Sequence, residues 1–165
     1  MQPQQSAHMA ATPPFVCKAF DQLSVHELLA LLVLRQQVFV VEQNCPYPDA
    51  DALDAHCWHL FALDEAGHAL ATCRLIPAGQ QARQDHAQAA TAAIGRLAVI
   101  QQARGRGMGR ALMQEALRQL AQLSPGPVRI AAQQHLQGFY ESLGFAAIGS
   151  PYLEDNIPHL NMLKH

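Results

Sequence analysis

Gly105, Gly107 and Gly109 alternate with Arg104, Arg106, Met108 and Arg110, and a run of this kind can bind an anion. Glycine lets backbone approach a ligand closely and leaves consecutive N–H groups unobstructed. The apolar residues 94–100 precede the run. A segment of helical period follows it, with Leu112, Ala116, Leu120 and Leu123 on one face beside Met113 and Leu117. A strand feeding a glycine turn that opens a helix brings unbonded N–H groups and a partial positive charge to one point. Phosphate groups suit such a point best. Two phosphate motifs are disfavoured by spacing: Gly109 is not followed by the Lys-Ser/Thr of a Walker loop, and Arg110 stands where a dinucleotide fingerprint needs its third glycine. On spacing alone, a helix start that uses glycine for packing fits equally well.

Other residue clusters invite chemistry and carry less of it. Asp49, Asp51 and Asp54 have a calcium-like spacing but lack the central glycine and closing glutamate of an EF-hand loop, so they read as solvated loop acids. His56-Cys57-x-His59 suggests zinc. On a strand, however, residues 57 and 59 share a face that 56 does not, and no second ligand pair follows, so no metal site is expected. Cys17, Cys45, Cys57 and Cys73 are scattered without a Cys-x-x-Cys pair, as reduced thiols of a cytoplasmic protein would be.

The elements that must position these residues follow from periodicity. The chain has 165 residues, half of them apolar and 15% charged, enough for one folded domain with a sizeable core. A net charge of −2 offers no footprint for nucleic acid or an anionic membrane, and no apolar run has the length to span a bilayer. Residues 1–14 read as a floppy leader and 15–165 as the domain. A first strand is expected over residues 15–20. Next comes a helix capped by Ser24 and Glu27, with Leu28, Leu31 or Leu32, Leu34 and Val38 as its stripe and an end near Phe39. Residues 58–63 and 69–76 predict a hairpin around the turn 64–67. The Ala/Gln-rich stretch 78–93 predicts a loop or short surface helix. Further strands are expected at 128–132 and 145–148, with a short helix at 135–143 between them and a mixed tail at 152–162. Strands alternating with helices around a hairpin imply an α/β mixed sheet.

Arg-x-x-Gly-x-Gly, read at Arg104, Gly107 and Gly109, resembles the pyrophosphate-binding motif of the GCN5-related N-acetyltransferase (GNAT) superfamily. Phe139-Tyr-Glu-Ser-Leu-Gly-Phe145 resembles its second signature. The stretches 38–47 and 152–159 are similar to those of the ElaA-like branch, and the likeness spans about residues 15–163. The resemblance implies a single-domain, mostly antiparallel mixed sheet with splayed central strands, flanked by helices. It also implies acetyl-CoA as cosubstrate and an amine of a small molecule or peptide as acceptor. Leu97, Ala98 and Val99 would pair through their backbone with the pantetheine arm. Arg104, Gly105, Arg106, Gly107, Met108, Gly109 and Arg110 would surround the pyrophosphate. Tyr140 matches the family's tyrosine that protonates the CoA sulfur, although its apolar neighbours also fit a core residue. For the general base the order is His135, then Glu42 in its apolar context, then His159 near Asp155, with a water relay left open. Two rivals stand beside this reading, an acyl-homoserine lactone synthase and an acyl-CoA sensor without turnover. Dimerisation is open.

Overall fold

Neighbouring residues of one strand are buried on opposite faces of the sheet, and two helices account for it. In the computed structural model, which describes residues 13–80 and 90–165, β2 (Trp58–Leu63) buries Leu60 on one face and Phe61 on the other. Leu60 packs with Leu112, Met113, Ala116 and Leu120 of α2 (Met108–Leu123). Phe61 packs with Leu31 and Leu34 of α1 (Val25–Arg35). A strand covered on both faces reads as a continuous apolar run, as Trp-His-Leu-Phe-Ala-Leu nearly does.

The remaining strands are β1 (Val16–Ala19), β3 (Ala69–Ile76), β4 (Ala92–Val99), β5 (Val128–Gln133), β6 (Ala146–Glu154) and β7 (Ile157–Lys164), and α3 spans Gln137–Glu141. They form one seven-stranded sheet in the order β1-β2-β3-β4-β5-β7-β6, antiparallel except for β4 beside β5. The expected mixed α/β sheet is therefore present. Ser24 Oγ accepts from the Glu27 amide at 3.1 Å and Glu27 Oε2 accepts from the Ser24 amide at 2.8 Å, the capping box expected for α1.

Several expectations are corrected. The helical run does not end near Phe39 but widens after Arg35 into a π segment, Gln36–Glu42. β4 begins at Ala92, two residues before the apolar run, because pairing with β3 and β5 starts there. Residues 135–143 divide into a 3-10 turn, Gln134–Leu136, and α3. The tail is not irregular: β6 and β7 form a hairpin around Asp155 and Asn156, both with positive φ (49° and 62°), a turn that suits Asp and Asn. The expected leader up to residue 12, and residues 81–89 of the Ala/Gln-rich stretch, lie outside the described residues.

Two of the three loop acids are not solvated, while Asp51 is exposed as expected. Asp49 and Asp54 are 7% and 6% exposed, and they face Arg35 (2%), Arg74 of β3 and Arg96 of β4. Arg35 Nε meets Asp49 Oδ2 at 2.8 Å and its Nη1 meets Asp54 Oδ1 at 2.7 Å. Arg74 Nη1 bridges Asp51 Oδ1 and Asp54 Oδ1 at 2.7 and 3.1 Å, and Arg96 Nε meets Asp49 Oδ1 at 2.9 Å. His59 is buried, with Nε2 2.9 Å from the Asp54 carbonyl. Burying a carboxylate disfavours its charge. The hydrogen bonds and charge of Arg35, with Arg74, outweigh that and hold Asp54 at about 2.

An unfolded aspartate titrates near ~3.9, so Asp54 contributes stability that is full above that pH and lost as pH falls through about 2. Asp54→Asn keeps the shape and removes the charge. It should cost about 3–5 kcal/mol in urea unfolding at pH 7, and its stability should fall less steeply than the wild type's between pH ~4 and ~2.

Candidate active site

β4 and β5 pair at only two positions, Ala92 with Val128 and Ala93 with Arg129, and then separate. β4 stays with β3 to Val99, while β5 stays with β7 to Gln133. An extra residue in β4 helps to part them. Thr72 faces Ala98 and Arg74 faces Gly95, so three steps along β4 match two along β3. Arg96 takes up the excess at φ 53°, a left-handed conformation that an arginine adopts at some cost. Its guanidinium, bonded to Asp49 and stacked 5.6 Å over the Tyr47 ring, anchors that conformation. Between the strands lies a cavity of about 830 Å³.

One end of the cavity is the glycine run. Gly105 and Gly107 have φ of 74° and 81°, where a side chain would strain the backbone. α2 makes its first intrahelical bond from the Ala111 amide to the Gly107 carbonyl, 2.9 Å. The amides of Met108, Gly109 and Arg110 therefore have no acceptor within the helix. Gly109 is helical, and a Cβ there would make only ordinary contacts, at 3.9 Å to Val99 and 4.0 Å to Phe139. The arginines differ in direction. Arg104 donates from Nε to the Val99 carbonyl (2.8 Å) and from Nη2 to Glu42 Oε2 (2.7 Å). Arg110 donates to Ser142 Oγ (2.7 Å) and lies over the Phe139 ring. Arg106 is exposed and is not among the cavity-lining residues.

The middle of the cavity is walled by Leu97, Ala98 and Val99 on one side and by Tyr140 on the other. Tyr140 is 7% exposed and makes edge-to-face contacts with Phe139 and Phe145 at 5.0 and 6.1 Å. Burial pushes its phenol up to about 12, and the nearby Cys73 thiol adds to this. Among the described residues its hydroxyl has no hydrogen-bond partner, although buried phenols normally have one.

The far end is built from the π segment, the loop after it and the β6–β7 hairpin. His135, Glu42, Asp155 and His159 all line the cavity, so every base candidate reaches it. His135 is exposed at the rim, and His159 stacks on Tyr152 with Nδ1 2.8 Å from the Ile157 carbonyl. Gln133 donates to Gln43 Oε1 at 3.1 Å, bridging the gap from β5 to the end of the π segment. Arg96, Tyr47, Gln43 and Gln133 were not singled out from sequence. For Arg96 a signal existed, since an isolated glycine inside a strand, here Gly95, often marks a bulge.

Comparison with known proteins agrees with this geometry. Residues 65–165 match the family model described as an acetyltransferase (GNAT) domain. A UPF0039 protein of Schizosaccharomyces pombe is 41% identical over 150 residues, covering 90% of this chain and 94% of its own. The crystal structure of Escherichia coli ElaA superposes with a TM-score of 0.80 at 35% identity, over 92% of this chain and 99% of that one. An acyl-CoA N-acyltransferase from Pseudomonas aeruginosa gives 0.83 at 40% identity with the same coverage. Acyl-homoserine lactone synthases are more distant: BjaI, at 18% identity and a TM-score of 0.70, shares the fold alone. The parted strands, the glycine turn and these likenesses together place the chain in the GNAT family of acyltransferases, in its ElaA-like branch.

Proposed function

We propose that this acyltransferase uses acetyl-CoA and transfers the acetyl group to a primary amine of a small molecule or peptide by direct attack on the thioester. The observation that carries the reading is Tyr140, a largely buried residue whose unpartnered hydroxyl faces a cavity that runs from a helix N-terminus through a strand gap. The amides from Gly105 to Arg110 hold the pyrophosphate, and the backbone of Leu97–Val99 pairs with the pantetheine arm as an added strand would. The thioester carbonyl then lies between β4 and Tyr140.

As the amine attacks, negative charge collects first on the carbonyl oxygen and then on the departing sulfur. Tyr140 donates to that sulfur. Burial raises the phenol and so opposes full proton transfer, and the hydroxyl stabilises the thiolate chiefly as a hydrogen-bond donor. The amine loses its proton to His135, directly or through water, because that imidazole stands at the rim on the acceptor side. Glu154 and Asp155, both exposed where the hairpin borders the cavity, favour an ammonium group on approach. We place the reaction in the cytoplasm: Cys17, Cys45, Cys57 and Cys73 are free, as a reducing compartment keeps them. Among the described residues no helix is long and apolar enough to cross a membrane.

Three measurements test this. Gly107→Val should abolish acetyl-CoA binding in calorimetry while leaving the circular dichroism spectrum native, and unchanged affinity overturns the phosphate assignment. Tyr140→Phe should lower kcat by about 10²-fold with acetyl-CoA affinity within about twofold of wild type; a full-rate variant removes the donor role. In His135→Ala the acidic limb of the kcat–pH profile should disappear, and a limb that persists assigns the proton to another group or to water.

A further inference from the structure

Glu42 ends the π segment and Arg104 begins the glycine turn, 62 positions later in the chain. Arg104 Nη2 donates to Glu42 Oε2 at 2.7 Å, and the same guanidinium donates from Nε to the Val99 carbonyl at 2.8 Å. One rigid, planar group therefore joins the last turn of the π segment, the end of β4 and the entry to the helix N-terminus. All three residues line the cavity. Lysine, with a single ammonium, cannot hold both acceptors in a fixed fork.

Two consequences follow. Two N–H groups of the Arg104 guanidinium are given to protein acceptors, so one part of its role is to hold backbone. The Glu42 carboxylate is already the negative partner of Arg104, and that ion pair would lose its negative charge if Glu42 took a proton from an amine. We infer that Glu42 is a positioning residue: acting through Arg104, it locks the glycine turn against the end of β4. An extended acyl-CoA must meet the amides of 108–110 and the backbone of 97–99 at once. Its affinity therefore depends on a fixed offset between them, as for any ligand that bridges two subsites. The inference rests on the reading of the Arg104–Arg110 turn as the pyrophosphate site.

Calorimetry with CoA and with ADP separates the possibilities, since ADP carries the diphosphate without the pantetheine arm. Wild type should bind both. Failure of wild type to bind CoA overturns the proposed function itself. In Glu42→Ala and in Arg104→Lys the Kd for CoA should rise about tenfold, while the Kd for ADP should change by less than about twofold. Equal losses for both ligands, or no loss for CoA, overturn the lock and leave the proposed function standing. Glu42→Gln keeps an acceptor oxygen, so it should weaken CoA binding less than Glu42→Ala and also covers the case in which the alanine variant does not fold. Its kcat–pH profile should retain the acidic limb. Loss of that limb in Glu42→Gln overturns the inference and makes Glu42 the base.

Discussion

Arg35, Arg74 and Arg96 meet Asp49, Asp51 and Asp54 in a cluster beside the cavity, buried at Arg35, Arg74, Asp49 and Asp54 and open to solvent at Asp51 and Arg96, and the site's shape depends on their pairing. A buried ion left unpaired costs several kcal/mol, so the loop that carries the aspartates has to dock before α1 can bury Arg35. The same pairing reaches β4 through Arg96. A residue at φ 53° inside a strand is unfavourable by itself, by ~1–3 kcal/mol, and its guanidinium bonds to Asp49 and Asp51 offset that. The bulge so anchored lies just past the point where β4 leaves β5. The gap between β4 and β5 is in this sense tied to the ion pairs of the neighbouring loop.

The two ends of the cavity recognise by different means. At the glycine turn the proposed contacts are main-chain amides, and Arg104 and Arg110 beside it bond or stack with Val99, Glu42, Ser142 and Phe139. On the proposed reading, recognition there is set by φ and ψ and is the same for any ligand with a diphosphate. At the other end the walls are side chains: Tyr47, Gln43, Glu154, Asp155 and His159. On the proposed reading, specificity among acceptors resides in these, apart from the cosubstrate contacts.

How much of this was legible in the sequence differs by element. The Ser24 cap, the β2–β3 hairpin, the glycine turn and α2 all rest on local patterns, and each is found where the pattern put it. β7 was missed because Pro158 stands near its start and its alternation, His159-Leu160-Asn161-Met162, is only four residues long, and pairing with β5 and β6 makes it a strand. The acids of the loop were misread for a related reason. Nothing local distinguishes Asp54 in solvent from Asp54 beside Arg35, which is 19 positions away in the chain and one hydrogen bond away in space. Their spacing did hold one clue, since Asp51 and Asp54 cap a short 3-10 turn, Ala52–His56, much as Ser24 and Glu27 cap α1. The π segment has no signature that periodicity could report: its valines fit a helix of either pitch.

β7 follows β6 in the chain yet lies between β5 and β6 in the sheet. Until residues 157–164 are made, β5 has only its two-pair contact with β4, and its other edge has no partner. The nascent chain thus carries a completed helix α2 and an open strand edge side by side, the kind of edge that invites pairing with another chain. Insertion of the final strand closes that edge and, in the same step, supplies the wall bearing His159. A ribosome-bound chain short of this segment can have its glycine turn formed and still lack one wall of the cavity.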